Sequence, residues 1–457
     1  MKQQIMTKFD ITTANLLSAC DARKALDEGI LSSQELVQAC FSRIDALEDS
    51  IGAWTHLDKE IAMQQAREAD EFRSRGLRVG ALHGLPIGIK DIIDTRDYPT
   101  ELGTLLHEGR RPSCDATLVS LLKEAGAIIL GKTVTTELAV FSPGKTTNPH
   151  NSKHTPGGSS SGSAAAVASA MVPLAVGTQT NGSIIRPASF CGVYGFKPSF
   201  GRISRQGVLK LSSPLDTVGV FARCLEDLAL IADIVIRYDV QDDAMLPIAP
   251  PCIRSVMAEP VPTDPVFAFV RTPAWDKVEQ VTKDGFRELI EALNDSKPKT
   301  VDIFDLPAQF DNIYEDHRKV MEADLARNLA KEYTRGKTQL SDVLCEMIDR
   351  GQQVSDDEYN TSVATIADYG SCLEEIFELY DAILTPASLG PAPEGLQATG
   401  DPVMNTIWTF CGTPTLSLPL LQSEAGLPFG VQLVGEKDDD ARLFRSARWL
   451  LDSLNDL

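Results

Sequence analysis

The sequence predicts an α/β protein, and three stretches carry that reading. Residues 11–75 space their apolar side chains at the helical period, as in Leu36, Val37, Cys40 and Ile44. From Leu85 the run LPIGIKDIIDT is apolar and β-branched, the pattern of a buried strand. Residues 115–132 then read as a helix, a capping Gly126 and a second strand. With 457 residues and 43% hydrophobic content the chain can build a large core, and length alone allows one to three domains.

Taken in order, Ser32, Ser33 and Glu35 mark a helix start, and the helices up to residue 75 are expected to wrap the outside of the fold. Gly88 inside the strand after Leu85 marks a place where another backbone comes close. Gly126 to Thr133 satisfies the phosphate-loop pattern GxxxxGK[ST], but a phosphate loop needs an amide-lined nest between strand and helix. Here the intervening Ala127, Ile128, Ile129 and Leu130 read as the strand itself, which argues against ATP. Residues 164–171 read as a tightly packed helix ended by Pro173, and residues 173–176 as a short buried strand. A helix follows at 225–236, then a proline-rich connection at 240–265. Residues 275–376 are amphipathic, charge-rich helices, 322–333 among them, without a trusted motif. A strand ending in a turn at 381–386 restores order.

Composition narrows the function. Forty-three Lys and Arg against 64 Asp and Glu give a net charge of −21, which disfavours nucleic acid and anionic membrane as partners. The opening MKQQIMTKFD has no apolar run for a signal peptide, and no later run is long enough to span a bilayer, so a cytoplasmic protein is expected. Nine cysteines, an odd number without CxxC spacing, read as small buried hydrophobes in a reducing compartment. His150 and His154 would share a face of a helix, but Asn148, Pro149 and Asn151 make a loop, so no metal site is expected.

The chemistry concentrates in residues 155–199, TPGGSSSGSAAAVASAMVPLAVGTQTNGSIIRPASFCGVYGFKPS. Two turns of glycine and hydroxyl residues, 157–163 and 177–183, flank the small-residue helix and strand, so that both turns can face one cavity. Each cluster alone is more often an ordinary loop. Their order and spacing resemble the amidase signature family of serine hydrolases, which the motif GGSS followed by GTxTxGSxxRPAxxCGxxGxKP carries here. That resemblance implies a single α/β/α domain with a mixed central sheet over residues 1–457, with a variable, helix-rich segment at about 240–375. The landmarks TGDP at 399–402 and GLPFGVQLV at 426–434 continue it.

The resemblance also implies a triad. Ser183 is its nucleophile, Ser159 the bridging serine after a cis peptide bond, and Lys90 of the GIKD motif its base. A lysine is usually solvated, but Ile87, Ile89, Ile92 and Ile93 would bury Lys90 and lower its pKa, as a base requires. Backbone N–H groups of Thr180, Asn181, Gly182 and Ser183 are implied as the oxyanion hole. Three positions depart from the commonest pattern GTDxGGSIRxP: Gln179 replaces an aspartate, Asn181 replaces a glycine, and Arg186 stands three residues after the nucleophile instead of two. Asn181 is expected to tolerate a left-handed turn. GTQT, SxIRP, TGDP, GIKDIIDT and NPHN look most like malonamidase-type members. The function implied is hydrolysis of a small carboxylic amide, without metal or cofactor. Arg186 either holds the fold or binds a substrate carboxylate. An amidotransferase component working with partners, or cleavage of esters, urethanes or anilides, remains open, as does a homodimer.

Overall fold

Hydrophobic strands buried at every residue organise the molecule. In the computed structural model, which describes residues 10–297 and 300–455, eleven strands form one mixed sheet. They are β1 (Trp54–Leu57), β2 (Pro86–Lys90), β3 (Ile128–Thr133), β4 (Leu174–Gln179), β5 (Tyr194–Lys197), β6 (Thr217–Ala222), β7 (Phe267–Arg271), β8 (Val301–Asp305), β9 (Ala382–Pro386), β10 (Thr415–Gln422) and β11 (Pro428–Val434). Their order is β1, β3, β2, β4, β6, β5, β10, β11, β9, β7, β8. In β2, β3, β4, β6, β9 and β11 no residue is more than slightly exposed, so both faces of the sheet are covered, as expected of a single α/β/α domain. The opening residues, read as lacking a signal peptide, lie outside the described residues through position 9.

Most of the expected elements are present with shifted borders. Ser32 and Glu35 form a capping box that starts the helix Ser33–Ile51. The strand expected after Leu85 is β2, and the helix, Gly126 and strand of 115–132 are Thr117–Glu124, a glycine at φ +87°, and β3. The small-residue helix spans Ser161–Ala168, and Ala170 at φ +53° turns the chain away before Pro173 is reached. The strand after it runs on to Gln179, so the second turn is shorter than expected and Gly177 belongs to β4. The helix expected at 322–333 is two helices, Ile313–Asn328 and Ala330–Gly336.

Three segments read as helix or connection hold unforeseen elements. Strand β1 sits within 11–75, too short between its flanking helices to show a period. The proline-rich connection contains the helix Ile253–Ala258, and β8 lies within 275–376 at the sheet edge, where Asp302 and Asp305 face solvent. The cysteines also differ from expectation: Cys40, Cys191 and Cys411 are buried, but Cys114 and Cys252 are exposed. Among the described residues no helix is long and apolar enough to cross a membrane.

Candidate active site

Parallel pairing of β2 with β4 aligns Ile89 with Val176, bringing Lys90 beside Thr178 in the middle of the sheet. Lys90 is fully buried, and its Nζ lies 2.7 Å from Ser159 Oγ and 2.8 Å from Thr178 Oγ1. Burial holds its pKa well below the ordinary lysine value, while the Asp216 carboxylate pulls it back up. The peptide bond between Gly158 and Ser159 is cis. Gly157, at φ +81°, has Pro187 so close that an added Cβ would lie 2.8 Å from its Cα.

The neighbouring serines have other partners. Ser160, Ser161 and Ser163 donate to the carbonyls of Thr178, Val134 and Val176, which fastens the helix Ser161–Ala168 to the sheet. Gly177 permits this, because a Cβ there would meet Ser160 Oγ at 2.6 Å. The two turns are joined directly, since Ser160 N–H donates to Ser183 O at 3.4 Å.

Where β4 ends, Gln179 Oε1 accepts the N–H groups of Ile184 at 2.8 Å and Ile185 at 3.1 Å, serving the start of the helix Ile185–Cys191. The N–H groups of Asn181, Gly182 and Ser183 donate to no protein atom among the described residues. Asn181 has no positive φ, so the left-handed tolerance expected of it is not used. Its side-chain oxygen accepts from Thr406 Oγ1 at 2.7 Å and its carbonyl from Thr409 Oγ1 at 2.5 Å, both on the helix Val403–Phe410. Thr180 Oγ1 donates to Asp216 at 2.6 Å, and burial pushes that carboxyl up to about 6 against hydrogen bonds from Thr180, Ser212 and Leu211.

Ser183 opens on a cavity of about 20 Å³ walled by Phe141, Thr180, Arg186, Met321 and Leu325. Arg186 is 2% exposed. Its Nη2 donates to Gly158 O at 2.7 Å and Thr399 Oγ1 at 3.1 Å, but Nε and Nη1 find no partner among the described residues. Burial lowers its pKa to about 10, with Asp401 acting the other way. A wider, more open cleft of about 380 Å³ shares Thr180 and Leu211 with this cavity and reaches Thr178 and Asp216.

The structure thus gathers Lys90, Ser159, the Thr180 to Ser183 turn and Arg186 around one point. Lys132 of the phosphate-loop lookalike is buried in β3, bound to Thr100 Oγ1 at 2.6 Å and Ile93 O at 2.9 Å and paired with Asp91, which leaves no nest. His150 and His154 sit in a loop on the carbonyls of Cys191 and Ala392. Among the described residues no group of three or more His, Cys, Asp or Glu could hold a metal. Sequence reading missed Thr178, Asp216, His317 and Thr409. Thr178 stands inside GTQT and needed only the lysine's neighbours to be asked for; Asp216, His317 and Thr409 stand in none of the motifs above.

A family model described as Amidase matches residues 35–444. The chain is 32% identical over 477 residues to the A component of the glutamyl-tRNA(Gln) amidotransferase of Chloroflexus aggregans, covering 95% of this chain and 96% of that one. It is also similar in structure to the peptide amidase of Stenotrophomonas maltophilia, at 27% identity and TM-score 0.81, over 98% of this chain and 97% of that one. A 6-aminohexanoate cyclic dimer hydrolase solved with its substrate matches at 25% identity and TM-score 0.87, over 98% of each chain.

Proposed function

Because this chain belongs to the amidase family, we propose that it hydrolyses the C–N bond of a small carboxylic amide through Ser183, Ser159 and Lys90. One observation carries the reading: a fully buried lysine with depressed pKa whose Nζ lies 2.7 Å from Ser159 Oγ, on the turn bonded to Ser183. Neutral Lys90 takes the proton of Ser159 as Ser159 takes that of Ser183, and Ser183 Oγ adds to the amide carbonyl. The free N–H groups of Asn181, Gly182 and Ser183, with that of Thr180, receive the oxyanion. Collapse breaks the C–N bond, Ser159 returns the proton to the departing amine, and an acyl-enzyme is left on Ser183. Water then repeats the relay and releases the acid.

The acyl pocket suggests the substrate. The cavity beside Ser183, about 20 Å³, is tight and favours a small acyl group, and Arg186, which lines it and has two nitrogens without a partner among the described residues, suits a carboxylate on the substrate. The likeness to malonamidase-type members rests on the sequence motifs alone and points to the same class. This reading places the enzyme in the cytoplasm, where nine unpaired thiols persist. A second reading comes from the curated relatives, which are amidotransferase components: the chain would then release ammonia productively only beside partner chains.

The test is turnover by the purified chain of a panel of short amides, each with and without a free carboxylate, with ammonia as the readout. Turnover by the lone chain supports the hydrolase; silence that partner chains relieve supports the amidotransferase. Trapping should place the acyl group on Ser183, and Ser183→Ala should abolish turnover. An adduct on Ser160 or Ser161 would overturn the assignment.

A further inference from the structure

The Thr180 to Ser183 turn is held from outside by two side chains that belong to neither the triad nor the motif around it. His317, on the helix Ile313–Asn328, is 2% exposed, and its Nε2 lies 3.1 Å from Thr180 O. A carbonyl oxygen only accepts, so Nε2 carries the hydrogen. Thr409, on the helix Val403–Phe410, sets Oγ1 2.5 Å from the next carbonyl, Asn181 O. Two successive peptide planes are therefore each pinned by their oxygen. In a trans peptide the C=O and the following N–H point in opposite directions. Pinning Thr180 O thus turns Asn181 N–H the other way, and pinning Asn181 O does the same for Gly182 N–H. Those are two of the three N–H groups that donate to no protein atom among the described residues.

Gln179 settles which way the Thr409 hydroxyl points. Its Oε1 already accepts two backbone N–H groups, so its other end is the amide nitrogen, 2.9 Å from Thr409 Oγ1. That nitrogen donates to the hydroxyl oxygen, leaving the hydroxyl hydrogen free for Asn181 O. A glutamate in this place, of the same length, would accept that hydrogen, and Asn181 O would lose its donor. The departure at position 179 and the pin on Asn181 thus belong together.

We infer that His317 and Thr409 are positioning residues that aim the Asn181 and Gly182 N–H groups at the oxyanion, and that Gln179 sets the direction of the Thr409 hydroxyl. The inference rests on the proposed acyl transfer at Ser183. His317 acts from the helix that also lends Met321 and Leu325 to the cavity, at successive four-residue steps along one face. The segment in which no motif was found therefore carries part of the machinery.

The test compares His317→Leu, His317→Gln, Thr409→Val and Gln179→Glu with the unaltered chain on the best amide of the panel. Readouts are kcat, KM, thermal midpoint and inhibition by a short alkylboronic acid, which forms a tetrahedral serine adduct. Loss of a whole oxyanion donor lowers kcat about 100- to 1,000-fold, so misaiming one should cost roughly 10- to 100-fold. His317→Leu, Thr409→Val and Gln179→Glu should show that loss with KM within about threefold, and the boronate should weaken by a similar factor. His317→Gln, which keeps a donor, should recover most of the rate. The double variant His317→Leu/Thr409→Val should lose less than the product of the single losses, because both act on one turn. If His317→Leu does not fold, Thr409→Val and Gln179→Glu make the same comparison.

Unchanged kcat and boronate affinity in the single variants, with Ser183→Ala inactive, would overturn the inference and leave the proposed function standing. So would parallel losses in kcat and KM that follow the thermal midpoint. An active Ser183→Ala would overturn both.

Discussion

The nucleophile turn and the helix Ile313–Asn328 wall the same cavity, yet they are built on opposite plans. The turn hangs from β4 in the middle of the sheet, where Lys90, Thr178, Ser159 and Ser160 are fully or almost fully buried and hydrogen-bonded to each other or to backbone. The helix is two-sided. It turns His317, Met321 and Leu325 toward the site, while Arg318 and Glu315 pair on its outer side, both more than 40% exposed. Reacting groups need fixed distances, and a strand buried on both faces supplies them. A helix laid on that frame can exchange Met321 and Leu325 without moving Lys90, so the pocket wall can vary while His317 stays tied to the turn.

The strongest way to break that comparison is at its rigid end. Lys90→Ala should lower kcat/KM by roughly 10²- to 10⁴-fold or more, with Ser159→Ala close behind, because the relay works as a unit. In the unaltered chain the rate should fall toward acid, since a lowered Lys90 pKa keeps the amine neutral at high pH and protonation below that pKa removes the base. A pH profile left unchanged by Lys90→Ala would assign the base elsewhere.

Arg186 tests the seam between the two plans, since it both ties Gly158 and faces the cavity. Arg186→Leu should raise KM about ten- to a hundredfold for a carboxylate-bearing amide, the loss of a charge-assisted pair, and spare a neutral amide of the same size. Equal losses on both, with a lower melting temperature, would make it a structural residue. A subtler effect is expected of Asp216→Asn. The Asp216 charge raises the Lys90 pKa, so removing it should move the acid limb of kcat/KM to lower pH. A limb that stays, or moves up, would show that Asp216 does not act on the base.

The smallest effect belongs to the contact that packs the helix Asp356–Phe377 on the helix Ile313–Asn328. Tyr369 donates to Asp316 at 2.9 Å, and Tyr369→Phe, which keeps the ring, should cost about 1 kcal/mol of stability with kcat and KM unchanged. A changed kcat would show that this contact also acts on the turn that His317 holds.

The sequence made the rigid half legible and left the other half dark for a physical reason. Lys90, Ser159 and Ser183 stand in motifs whose residue types suit close backbone approach and the proposed proton transfer, so the proposal could be read locally. Strand β8 is short and half exposed, and β1 is four residues long, so neither displays a period. His317 is one histidine in a charged helix, and what makes it matter is a carbonyl 137 residues away in the chain. No pattern within the helix reports a partner that only the fold supplies. Gln179 and Asn181 were visible as departures, but their compensation by Thr406 and Thr409 required the helix Val403–Phe410 in place.

The order of the sheet sets a timetable for the protein's own synthesis. Strand β10 is the neighbour of β5, and β11 joins β10 to β9, so the strands from the first half and those from the middle of the chain meet only through the last two. Until those strands emerge, a nascent chain carries β5 and β9 as open edges, each a template for wrong pairing. The threonines that hold Asn181 also come from this late stretch. Lys90, Ser159 and Ser183 all precede β10 in the chain, so the frame around them closes only after β10 and β11 have been made.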